Sequence, residues 1–165
     1  MSELLAEARG VPIRFGGFEV RAIYEISIRE TSALRVSFDY ATTARPQALR
    51  IRSEKVMLRV GNSRVKDMIF WTDTAPHVFD VIVDPPAGGG TIKVWNEWRD
   101  RAGIQNAWMG NAGMVVTVNG DVIVLKCSDG IGDPSFDDFV VSMRIVESTA
   151  RVVDFEAHRQ RRQSG

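Results

Sequence analysis

Four carboxylates crowd one short stretch of this chain. Asp129, Asp133, Asp137 and Asp138 all fall in Asp129-Gly130-Ile131-Gly132-Asp133-Pro134-Ser135-Phe136-Asp137-Asp138. Carboxylate oxygens are what a hard cation prefers, and Gly130 and Gly132 let the backbone turn tightly enough to add carbonyl oxygens toward the about 6–8 ligands of Ca²⁺. With no cation, like charges this close repel. A second reading needs no metal, because Asp and Gly are also the residues of hairpin turns, and the EF-hand spacing of alternating acids with a distal Glu is absent. Cation loop and acidic turn both stay open on residue types alone.

A second constellation is aromatic. Trp95-Asn96-Glu97-Trp98-Arg99-Asp100 and Gln105-Asn106-Ala107-Trp108-Met109-Gly110-Asn111 hold three of the four tryptophans, interleaved with amides and charges. Indole faces stack on sugar rings, and amides and carboxylates bind hydroxyls, so this mixture suits carbohydrate recognition or a protein interface. The candidate ligand-binding residues are Trp95, Asn96, Trp98, Trp108 and Asn111. The competing reading places Trp95 and Trp108 at the ends of a packed core with their N–H groups bonded to loop carbonyls. Trp98, flanked by charges, is then the ring expected to be exposed.

Signals for catalysis are poor. The two histidines, His77 beside Pro76 and His158 near the end of the chain, have no partner at metal or acid/base spacing. No G-x-S-x-G, H-E-x-x-H or phosphate-binding glycine loop occurs, and Gly88-Gly89-Gly90 has no following Lys and helix. Asp137 and Asp138 are adjacent, and neighbours on a strand point to opposite faces, a poor arrangement for a glycosidase pair. Cys127 ends an apolar run, where a buried inert thiol is expected. A non-enzyme is the reading.

The whole chain sets bounds on partners and compartment. Its 165 residues suit one domain, with a core large enough to need no staples. Lys plus Arg and Asp plus Glu each number 21, and this balance argues against a dedicated nucleic-acid or anionic-membrane binder. A single cysteine excludes an intrachain disulfide. No run approaches the roughly eighteen apolar residues of a membrane helix, and MSELLAEARG lacks the basic region and apolar core of a secretory signal. A soluble, cytoplasmic protein is expected.

The elements that must position these groups are strands. After a short helix through Leu4, Leu5 and Ala6, with Ser2 as its cap and Gly10 as its end, the apolar period becomes two. Phe18, Val20, Ala22, Tyr24, Ile26 and Ile28 share one face of a long predicted strand, and Leu34, Val36, Phe38 and Tyr40 repeat the alternation across a hairpin at Glu30-Thr31-Ser32. Shorter runs follow at Leu49–Ile51, Val56–Val60, Met68–Trp71, Val78–Val83, Thr91–Trp95, Met114–Val118, Val122–Lys126 and Phe139–Val146. Asn96 to Asn106 is expected to be a long surface loop, and Asn119-Gly120 a tight hairpin turn. About nine or ten short strands with little helical period predict an all-β protein: an antiparallel two-sheet β-sandwich, jelly-roll-like, over residues 1–150, with a polar, basic tail at 151–165.

Gly132-Asp133-Pro134-Ser135-Phe136-Asp137-Asp138-Phe139-Val140 resembles the G-D-x-D-[FY]-N-D-[LM]-V segment that closes calcium-binding jelly-roll modules of bacterial surface and adhesin-type proteins. In that family the segment precedes the final strand and its acids help hold a metal-stabilised loop. The resemblance therefore implies bound Ca²⁺ and a metal-binding role for Asp133, Asp137 and Asp138. Ser135 stands where the family has a carboxylate, and Asp137 where it usually has Asn.

Two functions follow as expectations. The first is a lectin-like, carbohydrate-binding or protein-binding module, Ca²⁺-dependent through the acidic loop. The alternative is a structural subunit forming homo- or hetero-oligomers through its long early strands, which would be adhesive as open edges.

Overall fold

The computed structural model describes residues 1–147. The basic tail, with His158, Arg159, Arg161 and Arg162, lies outside the described residues. A helix, α1 (Ser2–Glu7), leads to fourteen strands: β1 (Ile13–Phe15), β2 (Phe18–Val20), β3 (Tyr24–Ile28), β4 (Ser32–Ala41), β5 (Gln47–Arg52), β6 (Met57–Val60), β7 (Ser63–Val65), β8 (Asp67–Trp71), β9 (Val78–Asp84), β10 (Gly90–Arg99), β11 (Gln105–Asn106), β12 (Gly113–Asn119), β13 (Val122–Ser128) and β14 (Phe139–Glu147). Strands of period-two sequence gain little alone and become stable when one face is buried.

Two antiparallel sheets provide that burial. The larger runs β12-β13-β14-β4-β9-β6-β7, and the smaller runs β11-β10-β5-β8 with β3 also paired to β10. From β3 to β10 the chain passes repeatedly from one sheet to the other, as in a jelly roll. It then finishes with the meander β12-β13-β14 inside the larger sheet. Leu34, Val36 and Phe38 of β4, Leu49 and Ile51 of β5, Ile92 and Val94 of β10, and Val141 and Met143 of β14 belong to one core cluster. Each fully buried Leu, Ile or Val there contributes about 1.5–3 kcal/mol. Cys127 is part of this cluster and fully buried, so its thiol is pushed up from its ordinary value by desolvation.

Several expectations are corrected. Phe18–Ile28 is two strands: β2 pairs with β1, β3 pairs with β10, and Arg21-Ala22-Ile23 separates them. Glu30-Thr31-Ser32 is accordingly a crossover between sheets and not a hairpin. Ser2 does not cap α1; it is the first helical residue, and its hydroxyl donates to Gly110 O at 2.9 Å. The hairpin near Asn119 is present, but Asn119 pairs with Val122, so the two-residue loop is Gly120-Asp121 with Gly120 at φ +61°. That places Gly at the first turn position, as a type II′ turn requires. Finally, β4 lies between β14 and β9, so its apolar alternation serves the core and no open edge.

Candidate functional site

The acidic loop follows β13 and closes one end of the sandwich. Asp129 has no solvent exposure, and its oxygens are taken by protein donors. Arg45 grips it through Nε at 2.6 Å and Nη2 at 3.1 Å, Gln47 Nε2 donates at 3.0 Å, and the Ile131 N–H donates at 3.0 Å. A buried carboxylate is tolerated when paired and fully hydrogen-bonded in this way. The loop is then stitched to its surroundings: Asn96 Nδ2 donates to Ser128 O at 3.1 Å, Asn111 Nδ2 to Gly132 O at 2.7 Å, and the Ser135 N–H to Ser128 Oγ at 3.1 Å.

The other three acids diverge. Asp138 accepts the Asp129 N–H at 3.1 Å, while burial holds its carboxyl above the ordinary carboxylate value. Asp133 and Asp137 are exposed, and Asp137 sits 3.7 Å from Lys126 Nζ. Among the described residues no three His, Cys, Asp or Glu side chains are grouped to hold a metal. The assignment of Asp129 as a cation ligand is corrected on geometry, since Arg45 and Gln47 occupy its oxygens. Arg45 lies 84 residues away and carries no local signal of this role.

Trp98 and Trp108 exchange their expected places, while Trp95 is packed. Residues alternate along β10, so Ile92, Val94, Asn96 and Trp98 face the core side while Lys93, Trp95 and Glu97 face outward. Trp98 is only 2% exposed, against the expectation of a presented ring, and closes the sandwich end against Gly130. A Cβ on Gly130 would stand 2.3 Å from the Trp98 ring and 2.5 Å from Met109 O. Asn96, which is buried, and Asn111, which is half-buried, likewise hold the loop. The expected surface loop from Asn96 to Asn106 is in its first part strand, because β10 runs to Arg99 and then pairs with β11.

On the outer face of the smaller sheet, Trp108 lies over Trp95 with ring centroids 5.0 Å apart. Trp95 is thereby covered, and its Nε1 donates to Glu97 Oε1 at 2.9 Å. Glu97 is itself buried and also receives Arg50 Nη1 at 3.3 Å and Gln105 Nε2. Trp108 remains 47% exposed. It adopts φ +55°, a left-handed conformation uncommon for a bulky residue, and its Nε1 donates to Ala22 O at 3.3 Å. Such strain persists only where the surroundings impose it.

Two polar grooves border this indole. One, of about 560 Å³, is lined by Trp108, Trp95, Ile23, Glu25, Arg52 and Lys93 among others. The second, of about 260 Å³, is lined by Trp108, Trp95, Arg50, Arg52, Gln105 and Asn106. Arg52 borders both. Residue types near the tryptophans pointed toward this face, but its walls on β3 and β5 come from outward positions of strands distant in sequence. No family model, curated protein or solved structure matches this chain.

Proposed function

We propose that this protein is a non-enzymatic binding module whose ligand is a carbohydrate seated across Trp108. The observation that carries the reading is the half-exposed Trp108 ring, backed by Trp95 and bordered by two polar grooves. An indole face offers a flat apolar surface to the C–H face of a sugar, and the charged and amide groups beside it offer partners for hydroxyls. Trp95 keeps the ring from collapsing onto the sheet. Ca²⁺ is not required to hold this seat, because Arg45 already neutralises Asp129.

Retention on a glycan array tests the reading. Wild-type protein retains one glycan class, with or without EDTA, and Trp108→Ala abolishes retention while leaving the melting temperature close to that of the parent. Equal retention by Trp108→Ala would remove this face from the binding function. The alternative, an assembly subunit, keeps one of the two runs it was founded on: β4 is central in its sheet, whereas β3 pairs with β10 alone.

A further inference from the structure

We infer that the saccharide bound at Trp108 is acidic, carrying a carboxylate that Arg52 receives; this rests on the carbohydrate reading of the same face. The argument is one of charge partners. Arg50 is committed to Asp67 through Nε and Nη2, both at 2.8 Å, and to Glu97 at 3.3 Å. Lys93 stands 3.7 Å from Glu25. Arg52 pairs in register with Lys93 on one side and Asp67 on the other, yet Asp67 gives both oxygens to Arg50. Among the described residues Arg52 forms no ion pair, and it is exposed on the outer face.

Charge in the larger groove points the same way. Its lining cations are Arg52, Lys55 and Lys93, and its acids are Glu25 and Glu54, which leaves one cation in excess. In the smaller groove Arg50 is held by Asp67 and Glu97, so the cation left without an ion pair there is the same Arg52. A planar guanidinium matches a carboxylate through two parallel N–H bonds, where a hydroxyl fills only part of the fork. Because Arg52 borders both grooves, it reaches an acidic group that a sugar stacked on Trp108 places in either one.

A glycan array carrying neutral, uronate-containing, sialylated and sulfated glycans, probed with the wild type and with Arg52→Ala, Arg52→Lys and Trp108→Ala, decides the matter. The expected result is retention of carboxylated glycans alone, weakened about ten- to a hundredfold in Arg52→Ala and less in Arg52→Lys. Added salt weakens the wild-type signal more than that of Arg52→Ala. Neutral glycans retained as strongly as acidic ones, or an unchanged Arg52→Ala signal, overturns the inference; loss of that signal in Trp108→Ala would still uphold the carbohydrate seat. Retention of sulfated glycans alone overturns the carboxylate assignment. No retention of any glycan overturns both readings.

Discussion

Arg45 and Asp129 form a two-point ion pair at the closed end of the sandwich, with Nε–Oδ2 at 2.6 Å and Nη2–Oδ1 at 3.1 Å. The Asp129 side chain is fully buried and that of Arg45 is 19% exposed. Removing one partner strands the other, so Asp129→Ala is expected to cost about 3–5 kcal/mol. Urea denaturation measures this directly. A loss below about 1 kcal/mol, the range of surface pairs, would mean that Arg45 finds water when Asp129 is gone.

Trp98 and Trp108 separate packing from presentation. Truncating the buried Trp98 leaves a large void, and Trp98→Ala should lose about 3–5 kcal/mol of stability. Trp108→Ala should lose far less, because its ring is half exposed. Comparable losses in the two variants would make Trp108 a structural ring.

Calcium gives an independent check on the acidic loop. With Asp129 held by Arg45 and with Asp133 exposed, millimolar Ca²⁺ is expected to leave the thermal unfolding curve where EDTA puts it. A native-state cation present at a hundredfold excess over its dissociation constant would add about 2.7 kcal/mol. A Ca²⁺-dependent rise, abolished by Asp133→Ala and Asp138→Ala, would establish a metal in the loop.

Two carboxylates shift in opposite directions and predict opposite pH effects. The hydrogen bond from Arg50 holds Asp67 below its ordinary value. Its contribution is therefore present at neutral pH and lost as pH falls through the lowered folded value. Burial raises Asp138, so its charged form opposes folding at neutral pH, and that penalty disappears as the group takes up a proton in acid. Urea midpoints between about pH 3 and 7 should show Asp67→Asn less stable than the parent at neutral pH, with the gap closing in acid. Asp138→Asn, which still accepts the Asp129 N–H, should be as stable or more stable at neutral pH. A gap for Asp67→Asn that persists at the acid end would assign its effect to packing.

How much of this was legible depends on which faces a segment buries. Leu34, Val36 and Phe38 alternate cleanly because β4 has one face in the core, and the β12–β13 hairpin is marked by Gly120. The far half of β10 is illegible for the opposite reason. Asn96 and Trp98 are buried on the inner side while Trp95 and Glu97 are buried on the outer, so a run of polar and aromatic residues with no period looks like loop. The acidic loop shows its charge in sequence but not its neutralisation, because Arg45 arrives from the connection after β4. Arg52, similarly, is one of many arginines until β10 and Trp108 are laid beside it.

The central position of β4 also governs the order in which the chain can mature. Ser32 stands opposite Glu147 and Leu34 opposite Ile145, so one flank of β4 finds its partner only when nearly all of the described sequence has been made. Pairings so distant in sequence are slow to form, and a growing chain must carry β4 with one side unpaired in the meantime. A ribosome-bound intermediate ending before Phe139 would expose that side, which makes it the stage of synthesis most exposed to association and the one at which a chaperone has something to cover.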